Sequence, residues 1–199
     1  MAAFIKFFGS DNAREALTYS IKAEIKRAEC HKVAGFSEKR PPTNFNPGDI
    51  IYMGRMVNDD NLDPKNDYII FGKGVVADSF KLPRDKATLK DTMRLPFRSQ
   101  WPLYLQLKDT VFIKGTLRSG ILIEAIIKQF QYNSFHKTLA WYNSGKRNFS
   151  IRTAFSNQSY IELTKEASEW VDQKFRERIR NFGQVEQEYL NSLSKPDNS

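Results

Sequence analysis

Apolar residues recur at every fourth position through Ala167, Val171, Phe175 and Ile179, with Trp170 and Phe182 beside them. That spacing predicts an amphipathic helix over Thr164–Phe182. Glu166 and Glu169 open it, and Arg176, Arg178 and Arg180 close it, the charge order that a helix dipole favours; Gly183 is a natural stop. Ala13, Leu17, Ile21 and Ile25 share the period and predict a first helix over about 12–27, with Asn12 and Glu15 as a capping box. Gly120–Tyr132, apolar along one side, predicts another. Elsewhere the runs are short and β-rich: Phe4–Phe8, residues 48–56, two runs around a Gly-Lys-Gly bend in Asp67–Phe80, and Trp101–Lys114 with Pro102 near its start. Residues 29–44, closing in Lys39-Arg40-Pro41-Pro42, are expected to be irregular, as are the acidic loop Asn58–Asn66 and the polar stretch 81–100. Residues 133–160 read as loop-rich with short strands.

Strands cluster in the middle without regular alternation with helices, which argues an α+β fold, a small curved β-sheet or partial barrel flanked by helices. The division expected is a domain over 1–162, a C-terminal helix over 163–192 packed on it, and a disordered tail over 193–199. In FNPGDIIYMG, Pro47-Gly48-Asp49 is a turn, after which alternation puts Ile50 and Tyr52 on one face and Ile51 and Met53 on the other. One of these faces has to pack as core, and the other is available to line a pocket.

Composition narrows the chemistry. A chain of 199 residues can bury a sizeable core. Its single cysteine, Cys30, excludes an internal disulfide framework and a cysteine-rich zinc site. The N-terminal MAAFIKFFGSD has too short an apolar run for a signal peptide, and the most apolar window, Gly120–Ile127, contains Glu124 and is too short to span a bilayer. The expected location is therefore cytoplasmic. A net charge of +8 favours polyanionic partners, nucleic acid ahead of anionic membrane.

No catalytic constellation emerges. The histidines are His31 and His136, and no nucleophile-elbow motif surrounds a serine. Cys30 and His31 are adjacent, so in an extended segment they point to opposite faces. The loop Asp59-Asp60-Asn61-Leu62-Asp63 runs into Pro64 and Lys65 instead of further calcium ligands, so neither metal nor cofactor is expected. Gly72-Lys73-Gly74-Val75-Val76-Ala77 fits a dinucleotide fingerprint formally, but β-branched residues follow where a helix should start; it reads as a glycine bend or bulge in a strand. The positive signal lies between Glu124 and Glu162, where there is no acidic residue. Lys128, Lys137, Lys146, Arg147 and Arg152 are interleaved there with Phe130, Tyr132, Phe135, Trp141, Tyr142, Phe149, Phe155 and Tyr160. A second basic stretch spans Lys81–Arg98. Cations neutralise phosphate and planar rings stack on bases, so their coincidence favours nucleic-acid binding over the competing reading of core rings with a cationic rim.

The order of segments resembles the PUA-like superfamily, in particular its EVE and YTH branches. FIKFFGSDNAREALTYSIK is similar to the opening strand and capped helix of YTH domains, through Ser10, Asp11, Asn12 and Ser20-Ile21-Lys22. FNPGDIIYMG, IIFGKGVVADSF, WPLYLQLKDTVFIKGTL and SIRTAFSNQSYIEL resemble the successive strands and the late loop of such modules. The resemblance implies a non-catalytic module whose curved sheet holds a flipped or methylated base in an aromatic pocket. On that reading Tyr52, Trp101 and Trp141 are pocket walls, and Ser10 and Asn12 read the base edge. Phosphate contacts would come from Lys81, Arg84, Arg98, Lys146, Arg147 and Arg152. For Tyr52 and Trp101, plain core packing is the competing role. The analogy with prokaryotic restriction proteins of the McrB type puts DNA slightly ahead of RNA, and a nuclease or NTPase subunit among the partners. Two other readings stand beside it. Gly35–Arg40 resembles, at different spacing, the Lys–Glu pattern of ASCH hydrolases; alternatively, the Arg-rich last helix is a docking surface for a protein partner.

Overall fold

The computed structural model describes residues 1–7, 33–36, 44–56, 68–78, 103–115, 117–145, 160–186 and 188. The predicted first helix, the acidic loop, the stretch 81–100 and the tail lie outside them. Seven strands form one mixed, open, curved sheet: β1 (Ala3–Phe7), β2 (Val33–Phe36), β3 (Ile50–Met56), β4 (Tyr68–Asp78), β5 (Leu103–Phe112), β6 (Ile121–Leu122) and β7 (Tyr160–Glu162). Their order is β2-β5-β4-β3-β1-β7, with β6 alongside β4. Only β1 and β3 pair in parallel among the described strands. Among the described residues, three helices accompany the sheet: α1 (Ile123–Phe130), α2 (His136–Asn143) and α3 (Lys165–Phe182). The fold class is α+β, as the pattern predicts.

The turn before β3 explains why the chain breaks so sharply there. Gly48 has φ of 92°, a conformation that side chains rarely adopt. The buried Asp49 carboxylate accepts from the Ala2 and Asn46 backbone N–H groups, both at 2.8 Å. Ile50 N–H donates to the Ala2 carbonyl, and Val76 N–H to that of Asp49, each at 2.9 Å. One aspartate thus fastens the start of β1 to the start of β3, while the turn's own backbone pairs with β4.

Curvature comes from register. Opposite β3, β4 carries an extra residue at Phe71; opposite β5 it carries another at Ala77. β5 in turn has an extra residue at Asp109–Thr110, where Asp109 takes φ of 51°. Each insertion bends and twists the strands locally. The Gly-Lys-Gly sequence therefore lies within one continuous strand, rather than between two runs. A Cβ on Gly72 would sit 2.6 Å from the Phe112 ring, so the glycine makes room for close packing.

Both faces of the sheet are packed. Ile5, Tyr52, Ile70, Ile113 and Ile161 pack with Ile123 and Ile126 of α1 and with Ala167, Val171 and Phe175 of α3. The opposite face buries Phe4, Ile51, Met53, Phe71, Val76, Leu107 and Phe112 with Phe45 and Val185. α3 is thus part of the core, with its Thr164 hydroxyl accepting from the Ala167 N–H at 3.4 Å as the N-cap. Asp172 on this helix receives Lys73 of β4 at 2.7 Å and Arg176 at 2.9 Å, which ties helix to sheet. Among the described residues, no helix is long and apolar enough to cross a membrane.

Three further segment expectations change. Val33–Phe36, expected to be irregular, is a strand because β5 offers it an open edge. The helix expected over Gly120–Tyr132 shortens to Ile123–Phe130: Ile121 and Leu122 pair with β4, and Gln131 breaks the run with φ of 52°. Within the stretch expected to be loop-rich, HKTLAWYN forms α2, held by the buried Phe135 at its start and the buried Thr138. Its apolar residues lack a helical stripe, which is why pattern alone missed it.

Candidate functional site

The described rings of the acid-free segment divide into two groups, while Phe149 and Phe155 lie outside the described residues. Phe135 is fully buried, Phe130 meets Trp170 edge-on at 6.2 Å, and Tyr160 packs against Phe4 and Phe45. Tyr132, Trp141 and Tyr142 instead face outward, with exposures of 40%, 42% and 58%. Tyr132 and Tyr142 stack on one another, with centroids 4.7 Å apart and planes at 13°. Lys137 stands one turn before Trp141 on α2 and is exposed. Lys128 of α1 is also exposed and pairs with Glu124 at 3.3 Å.

This corner is built from a short 3-10 turn, Gln131–Ser134, between α1 and α2. The buried Ser134 hydroxyl donates to the Ile126 carbonyl at 3.0 Å and lies 3.1 Å from that of Gln131. From the other side, the Thr164 hydroxyl donates to the Asn133 carbonyl at 2.8 Å, and the Thr164 N–H to the Ser134 carbonyl at 3.1 Å. Phe135 bridges to Leu163 just beyond. Gln131 is held at φ 52° and ψ −131°, a region costly for a residue with a side chain, by about 1–3 kcal/mol. The ties to α1 and to the start of α3 keep it there, and Tyr132 follows directly.

Of the residues singled out from sequence, Trp141 lies in this exposed corner. Tyr52 does not. It is 0% exposed beneath α3, 6.4 Å from the Phe175 ring, so its expected role as a pocket wall gives way to core packing. Its hydroxyl is buried without a hydrogen bond of good geometry. Burial, and then the charge of Asp172, push its pKa well above the ordinary tyrosine value, against the weaker pull of Ser168 and Arg176. Trp101, Ser10, Asn12, Lys81, Arg84, Arg98, Lys146, Arg147 and Arg152 lie outside the described residues. Tyr132 and Tyr142 belong to the aromatic run read from sequence, but nothing in the sequence separates them from Phe135 or Tyr160.

Two buried cations were also not anticipated. Lys6 of β1 lies beside Met53, and Arg55 follows Met53 on the same face of β3. The Lys6 ammonium donates to the Phe7 carbonyl at 2.7 Å, and burial lowers its pKa to about 7. β1 lies inside the sheet, between β3 and β7, which is why its lysine is covered. Among the described residues, no cluster of three or more His, Cys, Asp or Glu could hold a metal ion. In comparison with known proteins, the chain matches no family model and no curated sequence.

Proposed function

We propose that the protein is a non-catalytic nucleic-acid-binding module of PUA-like type, taking up a flipped or modified base between aromatic walls and holding the backbone on a basic surface. The observation that carries this reading is the exposure of Tyr132, Trp141 and Tyr142 within a segment free of carboxylates. An exposed ring next to a carboxylate would repel the phosphate that accompanies a base. Here lysines and arginines occupy the segment instead, and the whole chain carries +8. Stacking a flipped base on an aromatic ring contributes about 1–3 kcal/mol and offsets part of the cost of unstacking it. A methyl group adds apolar area to that contact. Trp141 stays in the reading as a wall, and DNA stays ahead of RNA by the restriction-protein analogy.

Binding of matched DNA and RNA oligonucleotides, with and without a methylated base, across a salt series tests the proposal. The expected result is affinity that falls linearly on a log–log plot as salt rises, with a steeper loss for each phosphate contacted. Trp141→Ala is expected to lower affinity roughly tenfold. Absence of binding at low salt, or binding indifferent to salt, would overturn the proposal.

A further inference from the structure

We infer that the Tyr132–Tyr142 stack is a preorganised platform for unpaired bases, so that the protein selects single-stranded over duplex nucleic acid. This inference rests on the nucleic-acid reading above and specifies the substrate class.

Three observations carry it. First, the two rings are nearly parallel at 4.7 Å and remain 40% and 58% exposed, so the pair presents aromatic surface outward beyond its mutual contact. Second, its position is fixed before any ligand arrives. Tyr132 follows the strained Gln131 in a turn locked by Ser134 and Thr164, and Tyr142 stands on α2, whose start is anchored by the buried Phe135. A ring held in this way loses little freedom on binding. Third, the surrounding segment has no carboxylate and offers Lys137 and Trp141 on the same helix.

The selection follows from geometry. In a duplex each base face is covered by its neighbours, and only edges and phosphates reach a protein surface. A stacking platform on an outward helical corner therefore gains from paired DNA or RNA only after the cost of unstacking a base has been met. An unpaired strand offers free base faces, and a base laid on the tyrosine pair extends an existing stack. Any base has such a face, so the platform tolerates sequence while excluding pairing.

The test is fluorescence anisotropy with a labelled single strand of about 12 nucleotides, and with the same strand annealed to its complement. The expected result is single-strand affinity roughly tenfold above that for the duplex. Tyr132→Ala and Tyr142→Ala are each expected to weaken single-strand binding roughly tenfold and duplex binding by much less. Tyr142→Phe keeps the ring and should bind as the unaltered protein does. Both tyrosines are exposed, so the alanine variants should keep the fold, and circular dichroism checks this. Equal affinity for both forms, or alanine variants that bind the single strand unchanged, would overturn the platform while leaving nucleic-acid binding intact. Failure to bind either form would overturn both readings.

Discussion

The floor beneath α3 and the corner between α1 and α2 are built from the same kind of residue and behave in opposite ways. Under α3, Tyr52 is sealed by Val171 and Phe175, and even its hydroxyl is cut off from solvent. At the corner, Tyr132 and Tyr142 stack on each other and stay 40% and 58% exposed. A ring in the first place stabilises the fold by leaving water. A ring in the second is kept in contact with water by a turn that is itself strained. The difference teaches that aromatic content is not a binding signal until the backbone behind each ring is known.

The largest expected effect lies on the buried side. Phe175→Ala should cost about 3–5 kcal/mol in urea unfolding, because it removes a fully buried ring from between helix and sheet. Tyr142→Ala should change stability by less than about 0.5 kcal/mol. Similar costs for the two would erase the distinction between floor and corner.

A second test uses pH. Lys6 titrates near 7 in the folded protein against an ordinary value of 10.5. Between those values the unfolded chain holds a proton that the folded chain does not, so stability should rise with pH, by up to about 1.4 kcal/mol per unit. Below about pH 7 both states carry the proton and the cost of burying the charge is felt in full. Tyr52 works in the other direction above its ordinary value of 10.0, where the unfolded chain ionises first and stability falls. Urea midpoints for Lys6→Met should lose the rise between about pH 7 and 10; an unchanged slope would show that Lys6 is not the group responsible.

A smaller effect than either the Phe175 truncation or the Lys6 titration sharpens the contrast at the hydroxyl. Tyr52→Phe should stabilise the protein by about 1 kcal/mol, since it removes a buried polar group without a good partner. A loss of that size instead would mean that Ser168 does bond the hydroxyl.

Local chemistry made much of the fold legible. The four-residue period of α3 and its Gly183 stop reside in neighbouring residues, and the structure keeps them. The Pro47-Gly48-Asp49 turn is equally local, although its purpose is not: Asp49 reaches across to Ala2. β2 and α2 were not legible, because β2 exists through pairing with β5 and α2 through the anchoring of Phe135. The candidate site was half legible. The absence of acidic residues between Glu124 and Glu162 marked the segment, but the rings inside it looked alike.

The sequence by itself determined the α+β class, the helix that closes the core, the positive charge and the stretch where rings meet cations. These depend on spacing along the chain and on composition. Only the tertiary structure decided that both faces of β3 are packed, that Tyr52 is scaffold, that Lys6 and Arg55 are buried, and that Tyr132 and Tyr142 meet in the open. The physical reason is that burial is set by partners distant in sequence. α3 lies more than a hundred residues from Tyr52, and Thr164 locks the turn beside Tyr132 from 31 residues beyond Asn133.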